Sequence, residues 1–237
     1  MFSSSLSTIL SLNGEGVQLL EQKHYSKATT AFASAIAEFK KVITQKGDKD
    51  MSGEEELVFS YDLSLSPQAE EAAENELPFV FENPIQVACR KRPHRNGVDA
   101  IQLNLNQAEM LKTLSFALVF NLALGFHQSA LHHKTSTTSM LKIQKRFLKA
   151  LAFYKLALGM YENGEVSLGI MEAIAIANNQ AHIYTTVNEV ELADACYHQV
   201  LSHIMLAADK GHRETILHFE RFFSNVVVKP SSTARAA

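Results

Sequence analysis

Apolar residues recur at helical spacing along most of the chain. From residue 3 to 46 they belong to two helices with a break near His24, and from Gln107 to about residue 227 the helical pattern returns. Further breaks fall near 133–139, 163–164, 188–189 and 210–211. Helices joined by such short connections pack antiparallel as hairpins. The pattern therefore predicts an all-α fold that ends in a long helix over 213–227.

Residues 57–105 have a different character. Residues 57–65 alternate as a strand does, 77–88 are rich in β-forming residues with a turn at Asn83-Pro84, and 100–105 suit a further short strand. Between them lie an acidic stretch, 67–76, and a basic turn, 90–97. We therefore expect a small β insert at about 57–105 in a single domain over 1–229, followed by a disordered tail at 230–237.

One internal spacing is shared by the first and last predicted hairpins. Gly16 and Ala181 are each followed by residues of matching type at offsets of 3, 12, 16 and 19. A third copy begins at Ala123, and its second half is displaced by about 15 inserted residues. A small residue on one helix lets a ring on the next helix approach closely. The residues that carry this repeat are Gly16, Ala28, Phe32, Ala35, Ala123, Ala150, Tyr154, Ala157, Ala181, Ala193 and Tyr197.

This pattern resembles the tetratricopeptide repeat family, whose unit is a helix-turn-helix of about 34 residues. The sequence departs from the family at the usual tryptophan position, lacks the terminal proline, and splits the middle repeat. The resemblance implies a stack of about three antiparallel helical hairpins, capped by the C-terminal helix, that binds other proteins. The order of hairpin, insert and later repeats also resembles a group of repeat proteins from unicellular algae, which implies no activity. An ordinary helical bundle is the alternative to such a stack.

Composition and charge narrow the function classes. The net charge of −3 gives no overall basic field, so nucleic acid is not expected as a partner. Two cysteines, Cys89 and Cys196, are too few for a disulfide framework, and the first residues lack the basic start of a signal peptide. The most apolar stretch, 114–130, contains polar residues and is interpreted as a buried helix. We expect a cytoplasmic protein without a membrane segment.

No catalytic or cofactor motif is present in the sequence. The ten histidines show no metal-ligand spacing and are interpreted as scattered over helix surfaces, and no phosphate-binding loop or nucleophile motif occurs. We therefore predict no enzyme activity, no cofactor and no metal. The basic run 90–95 is interpreted as a solvated loop tip. The alternatives are a nuclear-localisation signal, or a contact to nucleic acid by an accessory subunit.

The remaining candidate surface is the groove formed by the first helix of each repeat. Family members that bind a C-terminal carboxylate carry basic residues there, and this sequence has none at the matching positions, so that activity is not carried over. A groove centred on Phe120 and Leu124 suits an apolar peptide or helix, unless the β insert or the acidic segment 69–76 fills it. We predict a non-catalytic scaffold or adaptor for a protein or peptide partner. The candidate partner-binding residues are Asn13, Val17, Phe120, Leu124, Asn178 and His182.

Overall fold

The chain is mostly helical, as the apolar spacing predicts. The computed structural model describes residues 2–45, 55–60, 80–91, 107–134, 139–164, 169–209 and 216–227. The helices in these ranges are α1 (Phe2–Glu21), α2 (Tyr25–Gln45), α3 (Gln107–Lys134), α4 (Met140–Glu162), α5 (Ile170–Thr186), α6 (Val190–Asp209) and α7 (Ile216–Val227). The predicted tail at 230–237 lies outside the described residues.

A residue with left-handed backbone conformation follows each of three helices, α1, α4 and α5. Lys23 follows α1 with φ 61°, Gly164 follows α4 with φ 66°, and Asn188 follows α5 with φ 64°. After α1, the amides of Lys23 and His24 donate to the carbonyls of Leu20 and Leu19. A left-handed residue satisfies the last carbonyls of a helix in this way and turns the chain. The predicted breaks near His24, 163–164 and 188–189 are confirmed, and the break at 210–211 lies outside the described residues.

Two short strands form the described part of the insert. Strand β1 (Glu55–Ser60) pairs antiparallel with β2 (Gln86–Lys91), and Leu57 lies opposite Cys89. The first strand thus begins two residues before the predicted one, and the predicted strand at 100–105 lies outside the described residues. The basic turn expected at 90–97 is wrong in its first two residues, because Arg90 and Lys91 belong to β2, in register with Glu56 and Glu55.

The chain divides into two compact units. Unit 1 comprises Met1–Asp62 and Glu82–Leu168, and unit 2 comprises Leu63–Phe81 and Gly169–Ala237. In unit 1, α1 packs on α2, α2 on α3, α3 on α4, and β2 on α1. In unit 2, α5 pairs with α6, and α7 packs on both. The all-α class, with neighbouring helices packed in pairs, is confirmed. The repeat stack and the single domain over 1–229 stay predictions.

Small residues and rings meet in the interior of unit 1. A methyl group at Gly16 would overlap the Phe32 ring, and one at Gly125 would lie 2.9 Å from Thr29 and 3.8 Å from Phe32. The Phe32 ring therefore lies between two glycine-sized gaps, one on α1 and one on α3. The other repeat-carrying residues are buried as well: Ala28, Ala35, Ala123, Ala150, Tyr154 and Ala157 in unit 1, and Ala181, Ala193 and Tyr197 in unit 2.

Helix α3 is the central helix of unit 1. Its stretch Ala108–His133 is, among the described residues, the one helix apolar and long enough to cross a membrane by composition. An 18-residue stretch of this helix is 83% buried inside the protein, and buried core helices share its length and composition. Contacts with α2 and α4 account for this burial.

Candidate functional site

In unit 1, an asparagine side chain binds the main chain of the segment that precedes β2. The amide of Ile85 donates to Oδ1 of Asn121 at 2.8 Å, and Nδ2 of Asn121 donates to the Ile85 carbonyl at 2.7 Å. A residue presents its N–H and C=O to the same partner when its backbone is extended, as in an antiparallel hydrogen-bonded pair. Asn121 on α3 thus takes the place that a neighbouring strand would have.

A second asparagine completes this site. Asn13 on α1 donates to the Ile85 carbonyl at 3.3 Å and accepts a hydrogen bond from Nδ2 of Asn121 at 3.0 Å. Both asparagines are fully buried, and Ile85 is 2% exposed. The second amide hydrogen of Asn121 and the second lone pair of the Ile85 carbonyl are therefore used. Buried polar groups cost free energy when they lack partners, so this arrangement stabilises the segment. We call Asn13, Asn121 and the main chain of Ile85 the first asparagine site.

Unit 2 contains the same contact on a different residue. The Phe81 amide donates to Oδ1 of Asn179 at 2.9 Å, and Nδ2 of Asn179 donates to the Phe81 carbonyl at 2.9 Å. The Phe81 ring stacks on Phe222 of α7 with 6.1 Å between centroids. Next to Asn179 on α5, Asn178 accepts a hydrogen bond from Asn225 at 2.6 Å. We call Asn179 with the main chain of Phe81 the second asparagine site.

A carboxyl group lies three residues before Ile85. Burial raises the pKa of Glu82, and the nearby Gln128 amide and the positive charge of Lys23 offset only part of that effect. The Tyr25 hydroxyl also has a raised pKa, first through burial and then through the charge of Glu82. The segment thus brings an acid into surroundings that disfavour its charged form.

The six predicted partner-binding residues do not form one exposed set. Asn13 contacts an extended peptide, and that peptide belongs to the chain itself. Val17, Phe120, Leu124 and Asn178 are buried, and His182 is partly exposed. Phe120 stacks on Phe116 and meets the edge of Tyr154. Their role in partner binding stays a prediction.

Sequence reasoning missed the role of Asn121 and Asn179. Each follows a residue that was selected for the groove, Phe120 or Asn178, by one position. Each also lies two residues before a small residue of the predicted repeat, Ala123 or Ala181. An asparagine in the same repeat position of two apolar helices was the available signal, since a buried amide requires polar partners.

Other candidate chemistry is limited in the described residues. There, no group of three or more histidine, cysteine or acidic side chains is placed to hold a metal ion. The expectation that the histidines lie on helix surfaces is wrong for His127, which is fully buried with its Nδ1 3.4 Å from the Tyr154 hydroxyl. Cys196 is a buried thiol whose Sγ lies 3.7 Å from the side-chain oxygen of Gln180. Residues 92–95 of the basic run lie outside the described residues.

Comparison with known proteins adds no identification. No family model matches the sequence, and no curated protein and no solved structure is significantly similar to it. The resemblance to tetratricopeptide repeats therefore remains a prediction from the residues that carry it.

Proposed function

We propose that this chain is a non-catalytic protein–protein interaction scaffold that recognises the main chain of an extended peptide. The observation that carries the proposal is the paired hydrogen bonding of Asn121 to both polar groups of Ile85. Recognition through the backbone gives affinity for an extended segment, and pockets for its side chains give specificity. A helix surface that carries such an amide is suited to a peptide partner.

Repetition of the contact supports the same proposal. Asn179 binds both polar groups of Phe81 in unit 2, as Asn121 does those of Ile85 in unit 1. Both asparagines lie on the first helix of a predicted repeat, which is the helix that lines the groove in tetratricopeptide proteins. A peptide-binding residue that recurs from one predicted repeat to the next is the arrangement expected of a scaffold.

Affinity purification of the tagged full chain tests the proposal. We expect Asn121→Ala and Asn179→Ala each to lose partners that the wild-type chain recovers, because each removes two hydrogen bonds to a peptide main chain. Asn163→Ala is the matched control, since Asn163 is an exposed asparagine that follows α4. Circular dichroism at the purification temperature establishes that each variant is folded.

Two results contradict this function. One is that the wild-type chain recovers no protein beyond a tag-only control. The other is that folded Asn121→Ala and Asn179→Ala chains recover the same partners as Asn163→Ala, which would make the asparagines purely structural.

A further inference from the structure

The first asparagine site already contains a peptide. Three hydrogen bonds join Asn13 and Asn121 to the main chain of Ile85, and the Ile85 side chain is buried. The occupant therefore defines the ligand chemistry of the site. It is an extended residue with an aliphatic side chain, bound through its own N–H and C=O. Any second peptide that uses these amides must take the place of residues 82–85.

The internal occupant contains one poorly matched residue. Glu82 is largely removed from water, and its surroundings disfavour the carboxylate. Binding of the segment at neutral pH therefore costs free energy that a neutral residue at this position would not cost. A segment optimised only for stability would not need an acid here.

We propose that residues 82–85 are an internal competitor at the first asparagine site. The partner is an extended peptide with an aliphatic residue in place of Ile85 and an uncharged residue in place of Glu82. This inference rests on the proposed function and names its ligand. A tethered segment has a high effective concentration at its own site. The apparent affinity for a partner is therefore the intrinsic affinity multiplied by the fraction of time for which the segment has left the site.

Hydrogen exchange of the unaltered chain is the first test. A competitor must leave the site without unfolding α3, so the Ile85 amide should exchange at least about tenfold faster than the interior amides of α3. Equal protection of Ile85 and α3 would mean that the segment leaves only on unfolding of the unit, and would overturn the proposal.

Peptide binding is the second test. The probe is a fluorescent synthetic peptide with the sequence of residues 82–88 that carries the Glu82→Gln change, added to the full chain. Ile85→Gly in the chain removes the buried side chain of the competitor, so we expect the peptide to bind at least about tenfold more tightly than to wild type. Gln86→Gly is the matched control, because Gln86 is exposed and its change loosens the backbone alone.

The pH dependence supplies a third readout. Because the carboxyl pKa is raised in the bound segment, the protonated form binds better, and the competitor weakens as pH rises from the ordinary value of 4.5 through the raised value. Among the described residues, the groups that face Glu82 are Lys23, Tyr25 and Gln128, and the His132 ring packs at a tilt against Tyr25. In the chain, Glu82→Gln should strengthen the competitor and so weaken binding of the added peptide at neutral pH. On acidification, the peptide affinity of the wild-type chain should fall towards that of the Glu82→Gln chain.

The outcomes separate this inference from the proposed function. If the folded Ile85→Gly chain binds the peptide no better than the Gln86→Gly chain, the internal competitor is wrong. Partners lost on Asn121→Ala would still support the scaffold. If the peptide binds as expected and affinity purification recovers no partner, the competitor stands and the scaffold function fails.

Discussion

The two asparagine sites make the same backbone contact and are supported in different ways. In unit 1, Asn13 adds a second amide to the carbonyl of Ile85 and to Asn121, so the support is polar. In unit 2, the Phe81 ring stacks on Phe222 of α7, and Nδ2 of Asn178 donates to Oδ1 of Asn179 at 3.4 Å, so the support is aromatic as well as polar. The bidentate amide fixes the extended backbone in both cases. The difference indicates that the surrounding side chains, and not the asparagine, decide which residue occupies each site.

Phe222→Ala should produce the largest loss in the free energy of unfolding, and it tests the aromatic support of the second asparagine site. Phe222 is 2% exposed, and truncation of a buried phenylalanine destabilises by roughly 3–5 kcal/mol. We expect a lower denaturation midpoint and faster exchange of the Phe81 amide, with little change at Ile85. Phe223→Ala is the neighbouring control, because Phe223 is 47% exposed. Equal effects of the two variants on Phe81 would break the aromatic half of the comparison.

Gly16→Ala tests the helix that carries Asn13. The added methyl group would overlap the Phe32 ring, and such overpacking costs typically about 1–3 kcal/mol; we expect the upper end, since the ring is enclosed. Gly14→Ala on the same helix has no atom within 4 Å of the added methyl and should stabilise by roughly 0.5–1 kcal/mol. Urea denaturation measures both. A neutral Gly16→Ala would show that α1 is free to move away from Phe32.

Asn13→Ala should give the smallest loss in the free energy of unfolding among the three test variants. It tests the polar support of the first asparagine site. The Ile85 carbonyl keeps its bond to Asn121, but Nδ2 of the buried Asn121 loses its acceptor, so we expect a loss toward the lower end of about 1–3 kcal/mol, the usual cost of an unpaired buried donor. Exchange of the Ile85 amide should accelerate, and that of Phe81 should not. Ser11→Ala, an exposed change on the same helix, is the control. An Ile85 amide that stays protected after Asn13→Ala would show that Asn121 suffices.

Local features of the sequence predicted the helices well. The breaks at His24, Asn163-Gly164 and Asn188 were recognisable because a polar residue or glycine interrupts each apolar pattern, and the structure puts a left-handed residue at each. The sequence indicated that strands occur in this insert, but it did not indicate where each strand begins and ends. Strand β2 begins at Gln86 because Pro84 has no N–H to donate and the polar groups of Ile85 are bonded to Asn121.

The asparagine contacts could not be predicted in the same way. Asn121 is 36 residues from Ile85 and 108 from Asn13, and Asn179 is 98 from Phe81. An asparagine within an apolar helix indicates that its amide needs a hydrogen-bond partner. The neighbouring residues in the sequence do not indicate which backbone groups supply that partner. The groove prediction included Asn13 and omitted Asn121 and Asn179, because it selected positions from a family pattern that depends on charged side chains. This chain binds its own peptide through neutral ones.

The apolar character of α3 has a consequence for how the chain is made. During synthesis α1 and α2 emerge before α3, and α4 emerges after it, so one flank of α3 stays uncovered until residue 162 has left the ribosome. A truncated chain that stops at Lys134 would keep that flank bare permanently. Such a fragment should associate with detergent micelles or chaperones. An apolar helix that lacks α4 as its protein neighbour gains free energy by burying its exposed side against another apolar surface.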